Sequence, residues 1–174
     1  MSVTDQLVKN NEDYAATFNK SGLRGAPSKR LAVLACMDAR LDVHKVLGLE
    51  EGEAHVIRNA GGTATDDAIR SLIISQRLLG TNEIILIHHT DCGMVSFTDD
   101  ELSSQIEAEA GVRPPFALRA FTDVESDLRQ SISRILNSPF IPRKTDVRGF
   151  VYDVETGRLN EVTAATDRSR PSAR

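Results

Sequence analysis

At 174 residues, 40% of them hydrophobic, the chain can bury one core of ordinary size without a disulfide or metal staple. Its net charge of -4, with no Lys/Arg block ahead of the last few residues, argues against nucleic acid or an anionic membrane as partner and leaves a small solute. No run approaches the roughly 20 apolar residues of a membrane span, and Met1-Ser-Val-Thr-Asp-Gln lacks the regions of a secretion signal, so a cytoplasmic location is expected.

In chain order, residues 4–19 are expected to form an N-terminal helix capped by Thr4, with Leu7, Tyr14 and Phe18 as apolar anchors, within an arm covering 1–25. A first strand follows Pro27 and spans 31–36. Asp42-Val-His-Lys-Val-Leu47 is a short helix before the Gly48 and Gly52 turns. The second strand is Ala54-His-Val-Ile57, and Asn59-Ala-Gly-Gly62 makes a tight loop. Thr65-Asp-Asp67 caps a helix whose Ile69, Leu72, Ile73 and Gln76 recur at helical spacing, with Gly80 as its stop.

The third strand is Glu83 to His88. Residues 99–110 and 123–136 have helical periodicity, separated by Pro114-Pro115, and Phe150 to Val162 reads as a strand and hairpin turning at Gly157. Residues 164–174 are polar and basic and read as a disordered tail. Strands alternating with helices predict one α/β domain over 1–163, with a mostly parallel central sheet flanked by helices and a C-terminal edge hairpin. Such a sheet binds its ligand outside the carboxyl ends of its strands.

The chemistry concentrates at two of those strand ends. The chain has only two cysteines. Cys36 closes the apolar run Leu31-Ala-Val-Leu-Ala35, and Cys92 follows Ile84-Ile-Leu-Ile87 with His89 between. Two thiolates and an imidazole are a ligand set suited to Zn²⁺ with one position left over. In a reducing compartment such cysteines are ligands sooner than a disulfide. Two thiolates cancel the ion's charge and weaken it as a Lewis acid, so a further group must help. Lowering the pKa of water from about 15.7 to about 7 requires roughly 12 kcal/mol of differential stabilisation, much of it supplied by zinc itself. Asp38 is placed to accept a hydrogen bond from that water, and Arg40 to clamp the carboxylate with its planar fork.

Cys36-Met-Asp-Ala-Arg40, Arg58-Asn-Ala-Gly-Gly62 and His89-Thr-Asp-Cys92-Gly93 resemble, in order and spacing, the C-x-D-x-R, R-N-A-G and H-x-x-C-G signatures of the β-class carbonic anhydrases. The likeness is strongest from Leu31 through Gly93, reaches toward Val154, and is nearest to short bacterial members. It implies one zinc per subunit on Cys36, His89 and Cys92, a catalytic dyad of Asp38 and Arg40, and at least a homodimer. The implied reaction is hydration of CO₂ to bicarbonate and a proton by a zinc-bound hydroxide. Asp38 is also a ligand in the closed arrangement found in part of the family; the absence of Trp tilts the reading toward an open zinc.

Competing readings accompany these residues. Carbonyl sulfide hydrolases resemble the same family, and carbonyl sulfide or carbon disulfide offers the same chemistry on softer atoms. A structural zinc closed by Cys36, Asp38, His89 and Cys92 is the non-enzymatic alternative, opposed by the ligand set and the chain length. Strand alternation turns His88 away from His89, toward a hydrogen-bonded structural role. His44 and His55 are read as satisfied or exposed histidines before proton relays, and Arg58 as a buried ion-pair partner across the sheet or a dimer contact, ahead of a direct catalytic part. Gly61, Gly62 and Gly93 are the candidate substrate-pocket positions, where backbone N–H groups approach the substrate oxygen.

Overall fold

The computed structural model describes residues 2–163. Its strands are β1 (Leu31–Cys36), β2 (Ala54–Asn59), β3 (Glu83–His89), β4 (Asp146–Tyr152) and β5 (Leu159–Val162). Its helices are α1 (Val3–Thr17), α2 (Val43–Leu47), α3 (Asp66–Arg77), α4 (Asp99–Ala110) and α5 (Val124–Asn137). The sheet has the order β2-β1-β3-β4-β5, with β5 antiparallel to β4 and every other pair parallel. Among the described residues no helix is long and apolar enough to cross a membrane.

All six residues of β1 are buried, as a central parallel strand requires when both of its faces are covered. Ala32, Leu34, Ile84 and Leu86 point to one face, against Ala68 and Leu72 of α3 and Leu128, Ile132 and Ile135 of α5. Leu31, Val33, Ala35 and Ile87 point to the other, where Leu41, Val43 and Met94 meet them. The chain leaves β1 for β2 on one side and returns to β3 on the other. A crevice therefore opens at the carboxyl ends of β1 and β3, where the direction of winding reverses.

Local chemistry sets the helix ends. Thr65 caps α3, its hydroxyl accepting the Ala68 N–H at 3.3 Å, and Asp66 and Asp67 lie in the first turn, where the helix dipole favours them. The helix stops at Arg77, ahead of Gly80, whose φ of +77° serves the following loop. The first helix starts earlier than expected: Ser2, not Thr4, is its cap, because the Ser2 hydroxyl accepts the Asp5 N–H while the Asp5 carboxylate accepts the Ser2 N–H. The expected anchors Leu7, Tyr14 and Phe18 are 61%, 50% and 48% exposed, so α1 buries no apolar stripe within its own chain.

Strand boundaries differ from expectation where pairing extends them. β2 runs on to Asn59, opposite Cys36, and β4 begins at Asp146, opposite Glu83, because each follows its parallel neighbour's full length. The hairpin turns as expected, with Gly157 at φ +72° and the Asp153 carboxylate accepting the N–H groups of Glu155 and Thr156. The tail assigned to 164–174 lies outside the described residues.

Candidate metal centre

Cys36 ends β1, His89 ends β3, and Cys92 follows in the loop after β3. Because β1 and β3 are parallel neighbours, paired through Ala35 and Ile87, both strand exits deliver their donors to the same end of the sheet. The Sγ atoms of Cys36 and Cys92 and a ring nitrogen of His89 all lie within 4.8 Å of one another, and all three residues are buried. The His89 Nε2 to Cys36 Sγ separation is 3.2 Å. Donors at about 2.0–2.3 Å from a tetrahedral ion stand roughly 3.3–3.8 Å apart, so the spacing suits zinc.

The imidazole is held from behind. His89 Nδ1–H donates to the Thr90 carbonyl at 2.8 Å, which leaves the Nε2 lone pair facing the sulfurs. Thr90 is itself fixed to the end of β4: its N–H donates to the Tyr152 carbonyl, and its hydroxyl accepts the Val154 N–H. Contact with Cys92 pulls the Cys36 thiol well below the usual thiol range, against the effect of burial. The same contact pushes the Cys92 thiol up. Two facing sulfurs share one negative charge readily and resist a second, a resistance that a divalent cation between them relieves.

Asp38 and Arg40 follow Cys36 in a loop and face each other. Arg40 Nε and Nη2 donate to Asp38 Oδ1 and Oδ2, each at 2.9 Å, and the Arg40 backbone N–H adds a third bond to Oδ1. The Arg40 side chain beside it holds the Asp38 carboxyl well below the usual carboxylate range. Asp38 Oδ2 lies 3.6 Å from His89 Nε2, at the margin of the donor cluster. Arg40 is also held by Asp91, whose Oδ2 accepts from Nη1 at 2.8 Å and whose carbonyl accepts from Nη2 at 3.1 Å.

Arg58 departs from the expectation of an ion pair across the sheet. Within one copy of the chain it is exposed and makes no ion pair across the sheet among the described residues; its guanidinium donates to the Cys36 carbonyl at 2.9 and 3.0 Å and to the Asp38 carbonyl at 2.7 Å. An arginine one strand away thus fixes the backbone of the loop that carries Cys36 and Asp38. Its acceptors are main-chain oxygens, which no pattern of acidic residues reveals.

Residues 31–115 match the carbonic anhydrase family model. The β-carbonic anhydrase 1 of Mycobacterium tuberculosis is 59% identical over 163 residues, covering 94% of this chain and 99% of that protein. This chain belongs to the β-carbonic anhydrase family. A crystal structure of the carbonic anhydrase from Streptococcus mutans superposes with a TM-score of 0.88 at 44% identity, covering 94% of this chain and 99% of that one. A more distant relative, the carbon disulfide hydrolase of Saccharolobus solfataricus, is 36% identical over 183 residues, covering 90% of this chain and 87% of that protein.

In this β-carbonic anhydrase family member a cavity of about 300 Å³ opens over the donors, lined by Cys36, Met37, Asp38, Ala60, Gly61, His89, Cys92, Gly93 and Met94. Gly61 and Gly93 border it. Gly62 does not, and has a different task. Its φ is +72°, and a Cβ there would lie 2.8 Å from the Cys36 nitrogen and 2.9 Å from the Ile87 carbonyl oxygen. Only a glycine lets this turn pack onto the ends of β1 and β3.

The remaining histidines keep away from the donors. His88 faces the opposite side of the sheet, where Nε2–H donates to Asp127 of α5 at 2.8 Å and the Thr63 hydroxyl donates to the same oxygen at 3.1 Å. His55 pairs with the Ser75 hydroxyl through Nδ1 and donates to the Gly25 carbonyl through Nε2. His44 is exposed on α2.

Proposed function

We propose that this chain catalyses the reversible hydration of CO₂ to bicarbonate and a proton, with zinc held by Cys36, His89 and Cys92 and with Asp38 and Arg40 as the catalytic pair. The enzyme is a zinc-dependent lyase. The observation that carries the reading is the convergence of the three buried donors beside a carboxylate gripped by an arginine. Zinc bound there supplies the Lewis acidity that lets water give up a proton near neutral pH. Asp38, kept ionised by Arg40, accepts a hydrogen bond from the attacking water and fixes the direction of its lone pair. The cavity wall formed by Met37, Ala60, Gly61 and Met94 suits a small substrate without charge, and the Gly61 and Gly93 backbone keeps side chains out of its path.

Asp38→Ala is expected to retain zinc and lose about 10²- to 10³-fold in CO₂ hydration, a loss in the range of a missing general base or charge-stabilising group. Stopped-flow hydration with metal analysis checks this, and unchanged turnover removes Asp38 from the mechanism. The Arg40 grip on Asp38 also supports an open zinc over a structural site in which Asp38 closes the shell.

The relatives named carbon disulfide hydrolase support a second reading, hydrolysis of carbon disulfide or carbonyl sulfide by the same ligand set. The greater identity to the mycobacterial β-carbonic anhydrase supports CO₂ as the preferred substrate. Sulfide release measured beside CO₂ hydration separates the two, and release without hydration reverses the preference.

The chain acts as a homodimer or larger homo-oligomer, a reading supported by α1 and its C-cap residue Phe18, where Val3, Leu7, Val8, Tyr14 and Phe18 are all exposed. A second copy covering that face buries them, and a monomer in analytical ultracentrifugation overturns the assignment. A cytoplasmic location is supported by the chemistry of the two cysteines, since thiolate ligands are best preserved in a reducing compartment; a periplasmic or secreted pool in fractionated cells contradicts it.

A further inference from the structure

We propose that Asp91 is a positioning residue for the catalytic pair: its carboxylate and its carbonyl together orient the Arg40 guanidinium so that the fork grips Asp38. The inference rests on the functional reading above and assigns a task to a residue between two metal ligands that is not itself a ligand. Four hydrogen bonds define the arrangement. Arg40 gives Nε and one Nη2 hydrogen to Asp38, and gives Nη1 and the second Nη2 hydrogen to Asp91.

The second anchor matters because the first is weak by itself. The Arg40 side chain is 46% exposed, and an exposed ion pair does little to hold a long side chain in one rotamer. Planar guanidinium geometry couples the two contacts, so fixing Nη1 on Asp91 fixes the direction in which Nε and Nη2 point.

The backbone adds an independent sign. Asp91 has φ of +53°, a left-handed conformation that an L residue adopts at a cost and that Asp and Asn tolerate better than most. Local strain of this kind persists where the surrounding structure enforces it. Here it accompanies a carbonyl within hydrogen-bond distance of Arg40 Nη2. The consequence falls on Asp38, whose Oδ2 is 3.6 Å from His89 Nε2. A carboxylate released by Arg40 is close enough to join the donor cluster instead of orienting water. Asp91 keeps it out by keeping Arg40 in place.

The test uses zinc-loaded Asp91→Gly, which keeps the left-handed backbone and removes the carboxylate, and Asp91→Asn, which keeps one acceptor. Crystal structures and CO₂ hydration are measured for both, for Arg40→Ala, and for Asp91→Gly combined with Arg40→Ala. Arg40 is expected to leave Asp38 in the Asp91→Gly crystals. Hydration is expected to fall about 10-fold in that variant and to recover largely in Asp91→Asn, and the double variant should be no slower than Arg40→Ala alone, as for residues acting through one another. An Arg40 fork still seated on Asp38 in Asp91→Gly, or losses that multiply in the double variant, would overturn the proposal. Should the unaltered enzyme fail to hydrate CO₂, the functional reading falls, while the Arg40 position in the variant crystals still decides the role of Asp91.

Discussion

Cys92→Ser is expected to abolish zinc retention and reduce CO₂ hydration by about 10³-fold or more, because loss of a residue that only orients a ligand already costs roughly 10–100-fold. A serine hydroxyl is a poor substitute for a thiolate on zinc, and it leaves Cys36 and His89 as two donors where a stable site needs three. The fold is expected to survive. Cys92 lies in the loop after β3 and packs in the smaller cluster with Leu41 and Met94, while the larger cluster formed by Leu34, Leu72, Ile84, Leu86, Leu128 and Ile132 contains none of the three donors. Metal analysis after gel filtration, read with the far-ultraviolet circular dichroism spectrum, checks both halves. Full zinc occupancy in Cys92→Ser removes this residue from the shell, and global unfolding makes the metal a staple of the fold.

Gly62→Ala carries the second large effect, and it acts on stability first. A methyl group at this position meets backbone atoms on two strands, the Cys36 nitrogen at 2.8 Å and the Ile87 oxygen at 2.9 Å, and the residue stands at φ +72°. Neither strand end can retreat without opening the ladder between them. The left-handed backbone contributes about 1–2 kcal/mol and the overpacking about 1–3 kcal/mol, so a loss of roughly 2–5 kcal/mol is expected. For a chain of this size that lowers Tm by about 5–15 °C. Gly93→Ala is the control: its Cβ meets nothing within 4 Å, and its stability should stay within about 0.5 kcal/mol of the parent. Thermal melts of both variants check the contrast, and equal melting temperatures would contradict it.

The parts of the molecule that sequence makes legible are those fixed by burial and by donor chemistry. Leu31 to Ala35 and Ile84 to Ile87 are apolar runs bounded by polar and turn residues, and they become the two adjacent strands whose exits bring Cys36, His89 and Cys92 together. Soft donors at the ends of such runs identify the metal chemistry, and the motif order identifies the family. Interactions that depend on register are hidden from the sequence. Arg58 reaches two carbonyls because Ala35 and Arg58 are partners across β1 and β2, a fact of pairing with no compositional trace.

The two adjacent glycines look alike in sequence yet divide their work. Gly61 borders the cavity while Gly62 packs onto strand ends, and only the three-dimensional turn separates them. The amphipathic pattern of α1 misleads for another reason. Its Leu7, Tyr14 and Phe18 have the composition of anchors, but within one copy of the chain they remain exposed. Periodicity says that a face is apolar; it does not say which molecule covers it.

Zinc-edge X-ray absorption of the purified protein at neutral pH tests the central claim most directly. A shell of two sulfurs near 2.3 Å, one imidazole nitrogen at about 2.0–2.1 Å and one further light atom is the predicted result. A shell without sulfur, or a spectrum unchanged when Cys36 and Cys92 are both replaced by serine, would contradict it.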